Sequence, residues 1–184
     1  MKSRGLTLIE VLVAVAVLGI VLAFAAPSLA DLMNRRRVQA VADQLVADLA
    51  YARTETALRT QLVHLEFDPN AKPSCYTISY PPAGGATCKC TRGAGSACVN
   101  LRGAVINGYE LKTYTIPAGI GVTMQPVPPT TAISFNTPQL TVTPDNPQIL
   151  VTGDSGAQLM VQLSPVGRAS LCSPGGTMGG VAPC

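Results

Sequence analysis

The chain is poor in the residues that most catalytic sites use. Its 184 residues hold a single histidine, His64, and only 12% are charged. His64 is therefore the sole histidine available as base for a serine nucleophile, and it falls within an alternating, strand-like run. The sequence has no glycine-rich phosphate loop, no box of metal ligands, no paired acid–base system and no internal repeat. Charge of one sign is also missing: two of the 13 basic residues, Lys2 and Arg4, sit at the extreme N-terminus, and the rest nearly balance the 10 acidic ones. Such a balance does not mark a nucleic-acid binder by bulk charge. Together these absences point away from an enzyme, and no cofactor is expected.

What the chain does have is an apolar run. From Leu6 to Ala26 the one strongly polar side chain is Glu10. About 21 residues at about 1.5 Å each make a helix long enough to cross a bilayer core. A secretory signal peptide would use Lys2 and Arg4 as its basic region, with cleavage after Ala23-Phe24-Ala25 or Ser28-Leu29-Ala30. Its apolar segment, however, usually spans only about 7–15 residues and holds no carboxylate. A plain transmembrane anchor accounts for the length and the basic leader but leaves Glu10 unexplained, since an ionised carboxylate at membrane depth costs at least about 2.5–3.5 kcal/mol without a partner.

The stretch Arg4-Gly5-Leu6-Thr7-Leu8-Ile9-Glu10 resembles the class III signal of type IV prepilins and type II secretion pseudopilins. The resemblance implies cleavage by prepilin peptidase between Gly5 and Leu6, and methylation of the new amine on Leu6, although Phe is the usual residue at that position. Glu10 then becomes an assembly residue, whose partner is the N-terminal amine of a neighbouring subunit. Gly19 and Pro27 match the places where family members weaken or break the helix. A proline inside a helix removes one backbone hydrogen bond, and a separate helix beginning at Pro27 would also put a bend there.

Between Ser28 and Thr60 the period is helical. Val38, Val41, Leu45, Leu49 and Ala52 form one apolar stripe, with Arg37, Gln44, Asp48 and Glu55 expected on the surface. Glu55 and Arg59 make a favourable i,i+4 pair. The run Ala42-Asp43-Gln44-Leu45 through Leu49-Ala50-Tyr51-Ala52-Arg53-Thr54-Glu55 resembles the GspH/FimT branch of the family. After Thr60 the period becomes two: Val63, Leu65 and Phe67 alternate with His64 and Glu66 up to a turn at Asp68-Pro69-Asn70. Further strands are expected at 75–80, 109–116, 120–126, 132–136, 139–143, 148–152, 157–163 and 166–172. The stretch from Pro81 to Asn100 reads as a loop.

Six cysteines in a domain behind a targeting segment favour disulfides in an oxidising compartment. Zinc is disfavoured because Cys75, Cys88, Cys90 and Cys98 lack paired C-x2-C knuckles, so no metal is expected. Cys88 and Cys90 are too close to join each other comfortably. Cys75 is expected to take one of them and Cys98 the other, while Cys172 and Cys184 close the C-terminal loop.

Three motifs invite a functional reading. Gly153-Asp154-Ser155-Gly156 matches the nucleophile signature of trypsin-like proteases, but between two apolar runs it reads better as a hairpin turn. Arg35-Arg36-Arg37 would lie just outside the membrane, open to lipid headgroups, acidic subunits, DNA or simply solvent. Gly167-Arg168-Ala169-Ser170-Leu171-Cys172 resembles the G-R-x-R-x-C segment of FimT-like minor pilins, whose arginines are linked to DNA binding. Ser170 replaces the second arginine, so DNA contact would fall to Arg168, aided by Lys89, Arg92 and Arg102.

The reading that emerges is an α+β, pilin-like fold. Residues 1–5 form a leader, 6–27 a transmembrane and assembly helix, 28–60 its amphipathic continuation, and 61–184 a disulfide-bearing β domain, an antiparallel sheet or sandwich packed on the helix. The resemblance implies a single-pass inner-membrane protein with a periplasmic domain, later part of a pilus or pseudopilus. Its partners would be other pilins or pseudopilins, prepilin peptidase and inner-membrane lipid, with DNA as a further candidate. Type IV pilus biogenesis, type II protein secretion and DNA uptake at a pilus tip remain the alternative settings.

Overall fold

A computed structural model describes residues 7–184 apart from 69, 70, 73, 85 and 177, and describes only the backbone of residues 24–27. Gly5 and Leu6 lie outside the described residues. The chain divides into two compact units, Met1–Met33 and Asn34–Cys184.

One helix, α1, runs over Leu8–Arg59, 52 residues in all. In the first unit the apolar side chains Ile9, Leu12, Leu18 and Ile20 are each more than half exposed. Among the described residues this is the one helix long and apolar enough to cross a membrane. The helix is continuous through Gly19 and Pro27, so the break expected at those positions is not present. Proline removes a single donor there, and strong helix formers (Ala25, Ala26, Leu29, Ala30) flank it on both sides.

In the second unit α1 buries Val38, Val41, Ala42, Leu45, Leu49 and Ala52 completely or nearly so, which is the stripe set by the helical period. Asp48 departs from expectation: it is 2% exposed, not on the surface. It falls in step with Val41, Leu45 and Ala52 at three- and four-residue intervals, and a helix cannot rotate one residue out of its own stripe.

The strands follow: β1 Val63–Phe67, β2 Cys75–Ser79, β3 Thr87–Cys88, β4 Cys98–Val99, β5 Glu110–Thr115, β6 Val122–Val127, β7 Ala132–Asn136, β8 Thr141–Thr143, β9 Gln148–Gly153, β10 Gln158–Leu163 and β11 Ala169–Cys172. They form a five-stranded sheet in the order β5-β2-β1-β7-β8 and a four-stranded sheet in the order β11-β10-β9-β6. A small β3-β4 hairpin stands apart, and every pairing between these strands is antiparallel. Pro126 lies in β6, an edge strand, where its missing N–H costs no ladder bond.

Alternation sets the two faces. Val63, Leu65 and Phe67 are buried in the core, whereas His64 and Glu66 are half-buried on the opposite face. In β2 every residue is buried, because helix α1 meets Tyr76 on one face and the turn Cys90–Arg92 packs along the strand. The segment 81–100 is thus not plain loop: it contains the β3-β4 hairpin and that single 3-10 turn. Two-residue strands are too short to show alternation in sequence.

Candidate functional site

The helix start is built from Thr7 onward. The backbone N–H of Glu10 donates to the carbonyl and hydroxyl oxygens of Thr7, at 3.1 and 3.4 Å. Thr7-Leu8-Ile9-Glu10 is the T-x-x-E pattern of a capping box, a signal in the sequence that the apolar run overshadows. The cap leaves the Glu10 side chain exposed and the sole carboxylate in an apolar helical segment. A Cβ placed on Gly19 would meet nothing within 4 Å. Nothing inside the chain therefore requires glycine at that position.

The second unit holds a polar cluster that the sequence reading misplaced. Asp48 accepts hydrogen bonds from Tyr76 Oη at 2.6 Å and Gln44 Nε2 at 3.0 Å, and pairs with Lys112 Nζ at 2.6 Å. Burial pushes the Tyr76 phenol far above the usual range, and its bond to Asp48 adds to the effect. Two turns on, Glu55 accepts from Tyr80 Oη and from Arg59 Nε, both at 2.5 Å. These bonds, that from Tyr80 foremost, hold the Glu55 carboxyl below its usual range. Burial, then the bond to Glu55, push the Tyr80 phenol up to about 12. Each carboxylate locks the helix to a tyrosine at one end of β2. Both carboxylates are engaged in bonds that join the helix to the sheet.

The protease-like tetrapeptide is a turn. Gly156 N–H donates to the Gly153 carbonyl at 2.9 Å, closing the β9-β10 connection. Ser155 Oγ donates to Asn34 Oδ1 of α1 at 2.9 Å. The ring of His64 bonds Ser134 Oγ at 2.7 Å on the other sheet, so no base serves Ser155.

The six cysteines form Cys75–Cys90, Cys88–Cys98 and Cys172–Cys184. The first two bridges overlap in sequence and pin the 88–98 segment against β2. Among the described residues no cluster of three metal-ligating side chains occurs.

The candidate basic residues are carried by separate segments of the chain. Arg92 donates to the carbonyls of Thr87 and Ala97, both at 2.9 Å, and so braces the hairpin from within. Lys89 and Arg102 are exposed in the disulfide-bearing region, whose tip is held by Glu110 of β5: the N–H groups of Gly95 and Ala97 bond its carboxylate at 2.8 and 2.9 Å. Arg168 is exposed on the β10-β11 turn, which meets the far side of the same sheet through Val142 N–H and the Pro165 carbonyl. Gly167, beside Arg168, has φ +72°, and a Cβ there would meet Phe135 Cε1 at 3.1 Å and Arg53 Cδ at 3.3 Å. The glycine of the G-R-x-x-x-C segment thus serves packing. Of the arginine run, Arg37 donates to the Ile120 carbonyl at 3.3 Å and Arg36 is exposed.

Comparison with known proteins bears on both units. Residues 1–26 match the prokaryotic N-terminal methylation motif. Two crystal structures of the type IV minor pilin FimU from Pseudomonas aeruginosa (strain PAO1), in space groups P21 and P65, share the fold. The first aligns with a TM-score of 0.54 at 15% identity, covering 74% of this chain and 89% of FimU. The second aligns with a TM-score of 0.51 at 15% identity, covering 72% and 90%. No curated sequence matches the chain significantly. The chain therefore carries a prepilin-type N-terminal motif ahead of a pilin-like fold.

Proposed function

We propose that the chain is a minor pilin, a non-enzymatic structural subunit of a type IV filament. Prepilin peptidase cuts it between Gly5 and Leu6, and the amine of Leu6 is then methylated. It waits in the inner membrane through its apolar helix, with the β domain in the periplasm, and enters the filament when Glu10 meets the N-terminal amine of a neighbour. The observation that carries this reading is the joint occurrence of the methylation motif over residues 1–26 and the FimU-like fold. Paired cysteines throughout suit an oxidising compartment.

The likeness to FimU favours a pilus over a type II secretion pseudopilus. DNA uptake gains less support, because Arg92 is occupied within the hairpin. Intact-mass measurement of membrane-extracted protein tests the core of the proposal. Loss of Met1–Gly5 with one added methyl group is expected; a mature start at Ala26 or Asp31 would overturn it. Twitching scored against exoprotein secretion in a deletion strain separates the two machines, and lost twitching with normal secretion is the expected result.

A further inference from the structure

The chain holds six asparagines, and they meet different surroundings in the fold. Asn34 is 9% exposed and accepts from Ser155 Oγ. Asn100 accepts from the N–H groups of Arg102 and Ala104, and Asn136 Nδ2 donates to Thr143 Oγ1. Asn146 precedes Pro147, which has no N–H, and Asn70 lies outside the described residues. Asn107 is exposed and precedes Gly108. Among the described residues neither the Asn107 amide nor the Gly108 N–H is engaged in a hydrogen bond. We infer that Asn107-Gly108 is a site of spontaneous covalent modification, at which the side-chain amide is lost and a mixture of aspartate and isoaspartate takes its place.

The reaction needs no partner but water. The backbone nitrogen of Gly108 attacks Cγ of Asn107, its proton passes to a solvent base, and the amide nitrogen leaves as ammonia. A five-membered succinimide results, which water opens at one of its two carbonyl carbons. Opening at Cγ leaves an ordinary aspartate. Opening at the main-chain carbonyl leaves a chain that runs through the side chain, with one extra carbon in the backbone. Nothing is oxidised or reduced. Attack demands a nitrogen open to solvent and a backbone free to swing onto Cγ. Gly108 meets both demands: its φ is +86°, and a Cβ built on it would meet nothing within 4 Å, so no neighbour shields it. Glycine also has the widest backbone freedom of any residue. Thr137, which follows Asn136, is β-branched and stiffer.

The position of the ring gives the change a structural consequence. Asn107 and Gly108 line a cleft of about 350 Å³ together with Gly95, Glu110 and Lys112. Glu110 holds the N–H groups of Gly95 and Ala97, and the Tyr109 carbonyl accepts from Tyr80 N–H at 2.8 Å. An extra backbone carbon just ahead of Tyr109 and Glu110 shifts both out of place. The new carboxylate also stands in the same cleft as Glu110, and like charges repel. Modification thus loosens the tip of the β3-β4 hairpin.

The test ages the full-length chain in mildly alkaline buffer, folded in detergent micelles or unfolded in urea, and follows it by tryptic mass spectrometry. Cleavage after Arg102 and Lys112 gives the peptide 103–112, in which Asn107 is the sole amide side chain. Isoaspartyl methyltransferase labels the isoaspartate fraction. In the folded chain, conversion at Asn107 is expected to be at least about tenfold faster than at Asn34, Asn100 or Asn136, the ratio that a barrier lower by about 1.36 kcal/mol gives. It is also expected to match the rate in urea. Gly108→Ala should slow it in urea, where a folding defect plays no part. Amide exchange at Gly95 and Ala97 should be faster in the aged protein than in the fresh one. Conversion far slower in the folded chain than in urea, or equal at the other asparagines, would overturn the assignment. Unchanged exchange at Gly95 and Ala97 would overturn the loosening.

Discussion

Tyr76 of β2 donates its phenolic hydroxyl to Asp48 of α1 across 2.6 Å, in a position where neither residue is more than 2% exposed. The bond fixes which turn of the helix lies over which residue of the sheet. Apolar contact alone would let the Val41–Leu45–Leu49 stripe slide by a turn at modest cost. Asp48→Ala leaves the Tyr76 hydroxyl and the Lys112 ammonium without their acceptor. A loss of about 2–4 kcal/mol is expected, measured as a lower urea midpoint of the β domain with unchanged m-value. Asp48→Asn, which keeps an acceptor, should lose less than the alanine variant.

Gly167→Ala probes the turn that carries Arg168. The substitution puts a Cβ into a φ of +72° and against Phe135 and Arg53. A loss of about 1–3 kcal/mol follows from the left-handed backbone and overpacking combined. Thermal unfolding checks it. Arg168→Ala, whose side chain points to solvent, should leave the midpoint within experimental error.

Glu10→Ala should leave membrane insertion intact, because the change makes an apolar segment more apolar. Entry into filaments should fall sharply in sheared-pilus preparations. Normal incorporation would show that the carboxylate has no assembly role.

His64 gives a pH dependence of defined sign. Burial lowers its folded pKa below the ordinary 6.5, so the unfolded chain takes up the proton first. The contribution to stability is present above pH 6.5 and is lost as pH falls through the lower folded value. Glu66 acts in the opposite sense, because its raised pKa costs stability as pH climbs above 4.5. The informative quantity is therefore the difference between wild type and His64→Gln in urea midpoint. It should narrow between pH 7 and pH 5, and a constant difference would refute the assignment.

Removing Cys75–Cys90 by a double serine substitution should open the 81–100 segment to trypsin. In the folded chain Arg92 bonds the carbonyls of Thr87 and Ala97, and the bridge to β2 holds the backbone just before it. A closed loop of this size contributes about 3 kcal/mol in the chain-entropy model. Rapid cleavage after Arg92 is expected in the variant and slow cleavage in the parent, followed by mass spectrometry.

Much of this molecule is legible in its sequence, for reasons that particular residues make plain. Val63, Leu65 and Phe67 alternate because one face of β1 is core, and α1 repeats at three and four because one stripe of it is core. Asp48 was not legible by polarity, since a charged residue within a buried stripe looks like a surface residue until Tyr76 and Lys112 arrive from positions 28 and 64 residues away. The β3-β4 hairpin was hidden for another reason: its two-residue strands are too short to show alternation. The pairing of Cys88 and Cys90 with separate partners followed from spacing, but spacing left open which took Cys75.

The three disulfides join residues only 15, 10 and 12 positions apart. Short-range closures need little of the chain to be present, and they cost less entropy than distant ones. Cys75, Cys88, Cys90 and Cys98 all precede β5 in the chain, so both bridges can close before any of β5 joins the sheet. The β3-β4 hairpin can thus be covalently set before any strand of the four-stranded sheet is in place. A chain truncated before β5 would still hold every cysteine of its first two bridges.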